Sequence, residues 1–531
     1  MSSLETIMTT FCILVVAVSA LAPPGYADNP VVEVVEGAIR GTREVSAGGS
    51  DYFAFYNIPY AKPPLGPNRF KAPVPVDSYD GVIDGTKDQL ISCLQLDVIV
   101  TLSLSGKEDC LVANVYTKTM DKNANLPVIV WIHGGGYLSG SGSSQIYKPG
   151  YLMDKDIVVV AFNYRLGIFG FLSTEDSELP GNYGLMDQIE LLKWVQRNIR
   201  SFGGDPNSVT IMGHSAGAGS VSLLTLSPLA DGLFHKAIAQ SGAATCPWVN
   251  VPNKVEGARI IAKTFNCSST SSSEIRECLI KQDGRALVAS MKETWQKFGF
   301  FPLYFTPRVD KESSTPVLPK NPTEILESGE FQARPFLNGI TEDEGTIVVF
   351  EALLNAQKLE AIRQGWESVC PILFVSGDRW FKVCQMETAN AYSKWADTFF
   401  YKYSYNDGSH RKFMSLILSG PRKAQLNGQT VPTELLGVGH GDELFHLFNG
   451  VFPISETETD ALRTRDTLLD LWTSFAATGT PTLDGESLWP KWSEENPKFL
   501  NFEKTGYAVK TGFPMPRSRF EFWEDRTGKD C

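Results

Sequence analysis

The sequence predicts an α/β fold in which a mostly parallel central sheet carries helices on both faces. Two apolar runs rich in β-branched residues, at positions 128–132 (VIVWI) and 157–162 (IVVVAF), suit strands that are buried on both sides. Strand and helix patterns then alternate along the chain, which is typical of this fold class. The chain has no internal repeat and no low-complexity linker, so we expect one large domain over residues 28–531.

The elements that follow these two strands keep the alternation. Between residues 185 and 200 apolar side chains recur at helical spacing, and Gly203 and Gly204 end the pattern. Residues 209–212 (VTIM) predict a short strand, and small residues begin a helix at Ala216. Short strands are predicted later in the chain at 236–239 and 335–337. A helix is predicted near the end, where Leu468, Trp472 and Phe475 recur at helical spacing and Gly479 ends the pattern. Active sites in such sheets lie beyond the carboxyl ends of the strands.

Composition and charge limit the classes of partner. The chain is 43% apolar and 20% charged, which is ordinary for a globular protein. Its net charge of −12 argues against nucleic acid or an anionic membrane surface as a partner, because both select basic patches. A small molecule remains the expected ligand.

The N-terminal residues predict a secretory signal peptide. Residues 11–22 form an apolar run that is too short to span a bilayer, and Ala20, Ala22 and Ala27 offer cleavage positions. The segment before the run holds Glu5 and no basic residue, so a buried N-terminal helix is the alternative. We expect residues 1–27 to be the signal, the mature protein to be secreted, and no later segment to span a membrane.

Cysteine usage fits an oxidising compartment. Outside the signal an even number of cysteines remains, which suits disulfides, although connectivity cannot be read from the count. Asn266 lies in the sequon NCS and is the expected glycosylation site. No cysteine or histidine spacing resembles a zinc site, and we expect neither a metal nor an organic cofactor. The cysteines are Cys93, Cys110, Cys246, Cys267, Cys278, Cys370, Cys384 and Cys531.

The strongest local motif is GHSAG at residues 213–217. A predicted strand enters it and a helical pattern leaves it, the context that a nucleophile elbow requires. Such a turn presents the Ser215 hydroxyl at a helix N-terminus, where the backbone N–H of Ala216 can face a developing oxyanion. A purely structural turn is the alternative.

A second motif, HGGG at residues 133–136, follows the VIVWI strand. Consecutive glycines cost conformational entropy, so they make sense where bare N–H groups must face a ligand. This is the second half of an oxyanion hole in lipases and esterases, whereas a flexible loop is the alternative. A dinucleotide-binding interpretation of Gly136, Gly140 and Gly142 is weaker, because an oxyanion loop already explains the glycines.

A serine nucleophile needs a base, and few histidines are available. With the order nucleophile, acid, histidine, the candidates are His410, His440 and His446. We favour His440, because glycines flank it on both sides. The acid must lie between Ser215 and the histidine, and Glu342, Asp343 and Glu344 all qualify on sequence chemistry alone.

Taken together, these motifs resemble the cholinesterase and carboxylesterase family of α/β-hydrolases, and most closely its secreted insect carboxylesterases. The resemblance extends over nearly the whole mature chain. Besides the two glycine motifs it includes FYNIPYA at 55–61, RF at 69–70, EDCL at 108–111, NYRLG at 163–167, FGGDP at 202–206, QSG at 240–242, DEG at 343–345 and HGDEL at 440–444.

The resemblance implies an α/β-hydrolase fold and roles for individual residues. It implies Glu344 as the acid, and an oxyanion hole formed by the N–H groups of Gly135, Gly136 and Ala216. It also implies that Trp248 lines an acyl pocket. The resemblance further implies the disulfides Cys93–Cys110 and Cys267–Cys278 and a free thiol at Cys246. It implies two structural ion pairs, Arg69–Glu108 and Arg165–Asp205. The remaining cysteines match no family position; they are Cys370, Cys384 and Cys531.

The expected function is hydrolysis of small to medium apolar carboxylic esters, whether xenobiotic, odorant, pheromone or dietary, through an acyl-enzyme. Choline esters are disfavoured for two reasons. Cholinesterases place a tryptophan between the two cysteines, where its ring attracts a quaternary ammonium group, but the segment 94–109 holds no aromatic residue. In addition, His214 stands where cholinesterases carry Glu. Juvenile hormone esterases typically carry Gln there, so that activity is an alternative. A slow-turnover protein that sequesters toxic esters is another, and a non-catalytic binding homologue is disfavoured because every triad residue is present.

Overall fold

The computed structural model describes residues 29–96, 103–298, 303–347, 375–409, 412, 415, 437–451 and 453–524. The expected signal peptide at 1–27, His410, Cys370 and Cys531 lie outside the described residues.

A large, mostly parallel sheet forms the centre of the described structure. Eleven of the described strands join it: β3 (Thr42–Val45), β4 (Asp51–Pro59), β8 (Val112–Thr117), β9 (Leu126–Ile132), β10 (Val158–Phe162), β11 (Gly204–His214), β12 (Lys236–Gln240), β13 (Phe336–Thr341), β14 (Thr398–Tyr403), β15 (Lys498–Glu503) and β16 (Gly506–Thr511). Their order across the sheet is β16-β15-β14-β13-β12-β11-β9-β10-β8-β4-β3. The strands from β10 to β15 in this order pair in parallel, and antiparallel strands complete both edges.

Smaller sheets and the helices complete the described fold. The remaining strands are β1 (Val31–Val34), β2 (Gly37–Arg40) and β5 (Val82–Asp84), which pair with one another, and β6 (Gln95–Leu96) with β7 (Leu104–Ser105). The α-helices are α1 (Ser144–Tyr147), α2 (Gly167–Phe171), α3 (Tyr183–Asn198), α4 (Ala216–Thr225), α5 (Lys254–Thr264), α6 (Ser272–Leu279), α7 (Gly284–Phe298), α8 (Pro322–Ser328), α9 (Val383–Tyr392), α10 (Thr459–Thr478) and α11 (Arg517–Glu524).

Strand β9 shows why the central runs are apolar on both sides. Val128, Val130 and Ile132 join an apolar core that also contains the buried side chains of α3 and α4. The alternate residues, Ile129 and Trp131, join a second core that contains those of α10. Side chains of a strand alternate between the faces of its sheet, so β9 is buried by helices on both sides. The predicted fold class is confirmed.

The predicted ion pairs have different outcomes. Arg69 Nη2 lies 2.6 Å from Glu108 Oε1, as the resemblance implies. The pair Arg165–Asp205 is wrong: Arg165 Nη2 lies 2.7 Å from Asp187 Oδ1, and its Nε bonds the other carboxylate oxygen. Arg165 and Asp187 are both buried, and a buried charge needs a buried partner.

Three disulfides lie among the described residues. Two are the implied pairs, Cys93–Cys110 and Cys267–Cys278. The third joins Cys246 to Cys384, so the expectation of a free thiol at Cys246 is wrong. The physical reason is that α9 brings Cys384 beside the segment that follows β12. In the described part of the chain, no helix combines the length and apolar character needed to cross a membrane.

Candidate active site

Ser215 lies at a sharp turn between β11 and α4. Its backbone has φ 57° and ψ −122°, a conformation that L-residues seldom adopt and that functional sites often hold. Small neighbours permit the turn: a Cβ added to Gly217 would lie 2.0 Å from the carbonyl oxygen of Ile132. The Ser215 N–H donates to Gln240 O of the adjacent strand β12 at 2.8 Å. The sequence thus builds the strand–turn–helix context predicted for a nucleophile elbow.

His440 and Glu344 form a buried hydrogen-bonded pair. His440 Nδ1 lies 2.6 Å from Glu344 Oε2, and the Glu344 side chain is fully buried. The other oxygen, Oε1, accepts hydrogen bonds from Ser241 Oγ at 2.6 Å and from the Thr341 N–H at 2.7 Å. Burial raises the pKa of Glu344, but the neighbouring His440 charge and these hydrogen bonds outweigh it and leave that pKa lowered. Glu344 is therefore an ionised acceptor that orients the imidazole.

The other two candidate acids serve the surrounding backbone and side chains. Glu342 bonds Lys402 Nζ and Ser404 Oγ. Asp343 Oδ2 accepts the N–H of Val438 at 2.9 Å. Of the three neighbouring carboxylates, the structure brings only Glu344 to His440. His446 is also placed elsewhere, since its Nδ1 lies 3.0 Å from the hydroxyl of Tyr403.

The HGGG loop runs beside the elbow. Gly135 has φ 113°, and an added Cβ would lie 2.0 Å from Ser139 O, so only glycine fits there. A Cβ on Gly134 would lie 3.0 Å from Ser215 Cβ, which shows how closely the loop approaches the serine. The N–H groups of Gly135 and Gly136 donate no hydrogen bond within the described part of the chain, so both are available to a ligand.

The imidazole of His440 lies close to two other rings. The rings of His214 and Phe381 each have their centroid 4.4 Å from that of His440. Burial lowers the pKa of His214 well below its usual value, and the charge of His440 lowers it further. His214 is consequently neutral at physiological pH. His440 Nε2 is buried and has no hydrogen-bond partner in the described structure, so the hydrogen bond that a serine nucleophile shares with its base is not formed in this structure.

A further buried carboxyl lies close to this pair. Glu443 accepts hydrogen bonds from Tyr401 Oη at 2.9 Å and from Gln240 Nε2 at 3.3 Å. Burial raises the pKa of Glu443 to about 8, and the charge of Glu344 contributes in the same direction. Glu443 is therefore largely protonated at neutral pH, and Glu344 is the carboxylate that bonds the histidine.

Trp248 lies in an aromatic wall next to the site. Its ring centroid is 5.7 Å from that of Phe381, and its Nε1 donates to Trp380 O at 2.7 Å. Phe381 in turn contacts His440. Trp248, the implied pocket residue, is thus two aromatic contacts from the imidazole. Asn266, the predicted glycosylation site, is exposed.

The chain is similar to known proteins over nearly its whole length. A family model described as "Carboxylesterase family" matches residues 28–374 and 371–523. The chain belongs to the carboxylesterase family. Members hydrolyse carboxylic esters, and we assign this chain that activity class.

Individual relatives agree with the family. A juvenile hormone esterase of Tribolium castaneum is 33% identical, over 90% of this chain and 87% of that protein. A carboxylic ester hydrolase of Bombus ignitus is 33% identical, over 93% of each chain. Among solved structures, a juvenile hormone esterase from Manduca sexta with OTFP covalently attached superimposes with a TM-score of 0.79 at 27% identity, covering 94% of this chain and 100% of that one.

Sequence reasoning did not single out three residues that shape this carboxylesterase site. Ser241 holds the acid, Glu443 adds a neutral carboxyl, and Phe381 packs on the histidine. The sequence could have indicated Ser241, because this residue directly follows β12 and active sites in such sheets lie beyond the carboxyl ends of the strands. No sequence signal indicated Phe381, since only the tertiary fold brings its segment to His440.

Proposed function

We propose that this carboxylesterase acts through an acyl-enzyme formed on Ser215, with His440 as general base and Glu344 as the acid that orients it. The observation that carries the proposal is the buried 2.6 Å contact between His440 Nδ1 and Glu344 Oε2 beside a strained serine turn. It leaves Nε2 as the free basic atom, as a serine hydrolase requires.

The residues of the site have defined roles in the cycle. Ser215 attacks the ester carbonyl while His440 Nε2 takes its proton, and Glu344 stabilises the imidazolium that forms. The N–H groups of Gly135, Gly136 and Ala216 receive the oxyanion, a contribution worth about 10²–10³ in rate per donor. His440 then protonates the leaving alcohol, and it activates the water that hydrolyses the acyl-enzyme.

The substrate, location and processing belong to the same proposal. We assign apolar esters of small to medium size, because the described wall next to the histidine consists of the aromatic rings of Trp248 and Phe381. Secretion is supported by three disulfides, since these persist in oxidising compartments. We further propose cleavage of the signal within residues 20–27, a single catalytic domain over 28–531, and glycosylation at the exposed Asn266.

Juvenile hormone esterase activity is the second candidate. Two relatives with that name support it, one by sequence identity and one by superposition. His214, which stands where such esterases typically carry Gln, argues against it. Hydrolysis of juvenile hormone with a kcat/KM well above that for simple aliphatic esters would favour the second candidate.

The test is hydrolysis of p-nitrophenyl esters from acetate to decanoate by the wild type and by Ser215→Ala. We expect steady turnover that vanishes in the variant, and a burst of p-nitrophenol if deacylation is slow. A stoichiometric burst without turnover would indicate sequestration of esters. Turnover that persists in Ser215→Ala would overturn the assignment of the nucleophile.

A further inference from the structure

The third disulfide joins two segments that build one wall of the active site. Cys246 lies on the segment that follows β12 and leads into Trp248, whereas Cys384 lies in the first turn of α9. The two cysteines are 138 residues apart in sequence, and both are buried. The bond therefore crosslinks distant parts of the chain inside the protein.

The segment before Cys384 carries the ring that packs on the histidine. Residues Asp378–Lys382 form a single π-helical turn, a feature that occurs frequently at functional sites. Phe381 is in this turn and lies against both His440, at 4.4 Å between ring centroids, and Trp248, at 5.7 Å. Cys384 is thus less than one helical turn from a residue in contact with the proposed base.

Hydrogen bonds beside the disulfide also join the two segments. Trp248 Nε1 donates to Trp380 O at 2.7 Å, and Thr245 Oγ1 donates to Cys384 O at 3.0 Å. The latter hydroxyl also lies 2.8 Å from that of Thr388. These polar contacts surround the disulfide, which is the covalent part of the link. Side chains that must fix an imidazole act best when their supporting contacts hold them rigidly.

We infer that the Cys246–Cys384 disulfide is a positioning element of the active site: it clamps Trp248 against Phe381, which sets the width of the acyl pocket and the orientation of His440. This inference rests on the proposed function. Without the bond, the two segments of this wall can separate, so longer acyl chains fit better. Phe381 then constrains His440 less, so turnover falls for every ester.

The test compares Cys246→Ala/Cys384→Ala with Cys267→Ala/Cys278→Ala, which removes a disulfide that links α6 to the preceding loop. Peptide mapping of the non-reduced wild type first establishes the Cys246–Cys384 pair, and finding Cys246 unpaired would overturn the inference. Active sites are counted by titration with an organophosphate, so that kcat refers only to folded, reactive enzyme. kcat and KM are then measured for p-nitrophenyl butanoate and decanoate.

For the Cys246→Ala/Cys384→Ala variant we compare kcat/KM for decanoate with kcat/KM for butanoate. We expect the ratio of these two values to rise roughly tenfold, which is the low end of the discrimination that one methylene group gives in an apolar pocket. The KM for decanoate should fall, and kcat per active site should fall for both esters. The control should keep the wild-type ratio. An unchanged ratio would overturn the inference while leaving the proposed function intact, because that function fails only if wild-type turnover does not depend on Ser215.

Thr245→Val is the second variant, and it decides the matter if the double variant does not fold. It leaves the rings of Trp248 and Phe381 unchanged but removes the hydrogen bonds to Cys384 O and Thr388 Oγ1, which link the same two segments. We expect the same direction of change in the decanoate-to-butanoate ratio, and a smaller size. A ratio equal to that of the wild type would contradict the clamp.

Discussion

Replacing Glu344 by Gln tests the proposed triad at the residue whose side chain is held by the most hydrogen bonds. Glu344 is fully buried and both of its oxygens accept hydrogen bonds: Oε2 from His440 Nδ1, and Oε1 from Ser241 Oγ and the Thr341 N–H. The amide nitrogen of Gln must take one of these two positions. At the Oε1 position it would face the Thr341 N–H, which is fixed in the backbone and would lose its acceptor, at about 1–3 kcal/mol.

The amide nitrogen should therefore face His440. Its N–H then donates to Nδ1, which leaves the proton of the neutral imidazole on Nε2, and the ring can no longer take a proton from Ser215. In serine proteases the corresponding Asp-to-Asn change lowers kcat by about 10⁴-fold. We expect a similar loss here, equivalent to about 5 kcal/mol in the barrier.

The assay measures kcat and KM on p-nitrophenyl butanoate, with Glu342→Gln as the matched control. Glu342 carries the same side chain two residues earlier, but it bonds Lys402 and Ser404 and has no contact with His440. We expect kcat of the control to stay within about tenfold of the wild type. A loss of less than about tenfold in folded Glu344→Gln would refute the reasoning and place the acid elsewhere.

Three further predictions concern the groups around this pair. His214→Glu puts a carboxylate against the His440 ring, so the acid limb of the kcat/KM profile should move to higher pH by about one unit or more, whereas neutral His214→Gln should not move it. Ser241→Ala removes a hydrogen bond to the charged Glu344 and should lower the free energy of unfolding by about 1.5–3 kcal/mol in urea titrations; no loss would mean that this bond adds nothing. The pKa of Glu443 is raised from 4.5 to about 8, so the folded state holds an extra proton and stability falls as pH rises through that window. The free energy of unfolding of Glu443→Gln, measured relative to that of the wild type, should therefore be higher at pH 8 than at pH 4.5. An equal difference between variant and wild type at both pH values would contradict the burial argument.

Local chemistry explains what the sequence could predict. The strand β9 was predictable because burial on both faces requires a continuous apolar run, which is visible in the letters VIVWI. The turn at Ser215 was predictable because its close backbone contacts demand glycine at fixed positions. Both signals can be read from a few consecutive residues.

Tertiary pairing explains what the sequence could not predict. The three consecutive carboxylates at 342–344 are chemically alike, so residue chemistry left all three open and only the family resemblance implied Glu344, which the chain after β13 brings to His440. The resemblance implied Asp205 as the partner of Arg165, and this prediction was wrong because α3 buries Asp187 beside the guanidinium. The disulfide of Cys246 depends on a contact across 138 residues.

The central claim is that Ser215 carries the acyl group, and trapping that intermediate tests it most directly. The wild type is mixed with p-nitrophenyl butanoate and quenched in acid within the first turnover, and its peptides are then mapped by mass spectrometry. The account predicts a butanoyl adduct on the peptide at Ser215, and no adduct there in Ser215→Ala. An adduct on another residue, or turnover in Ser215→Ala at the wild-type rate, would contradict it.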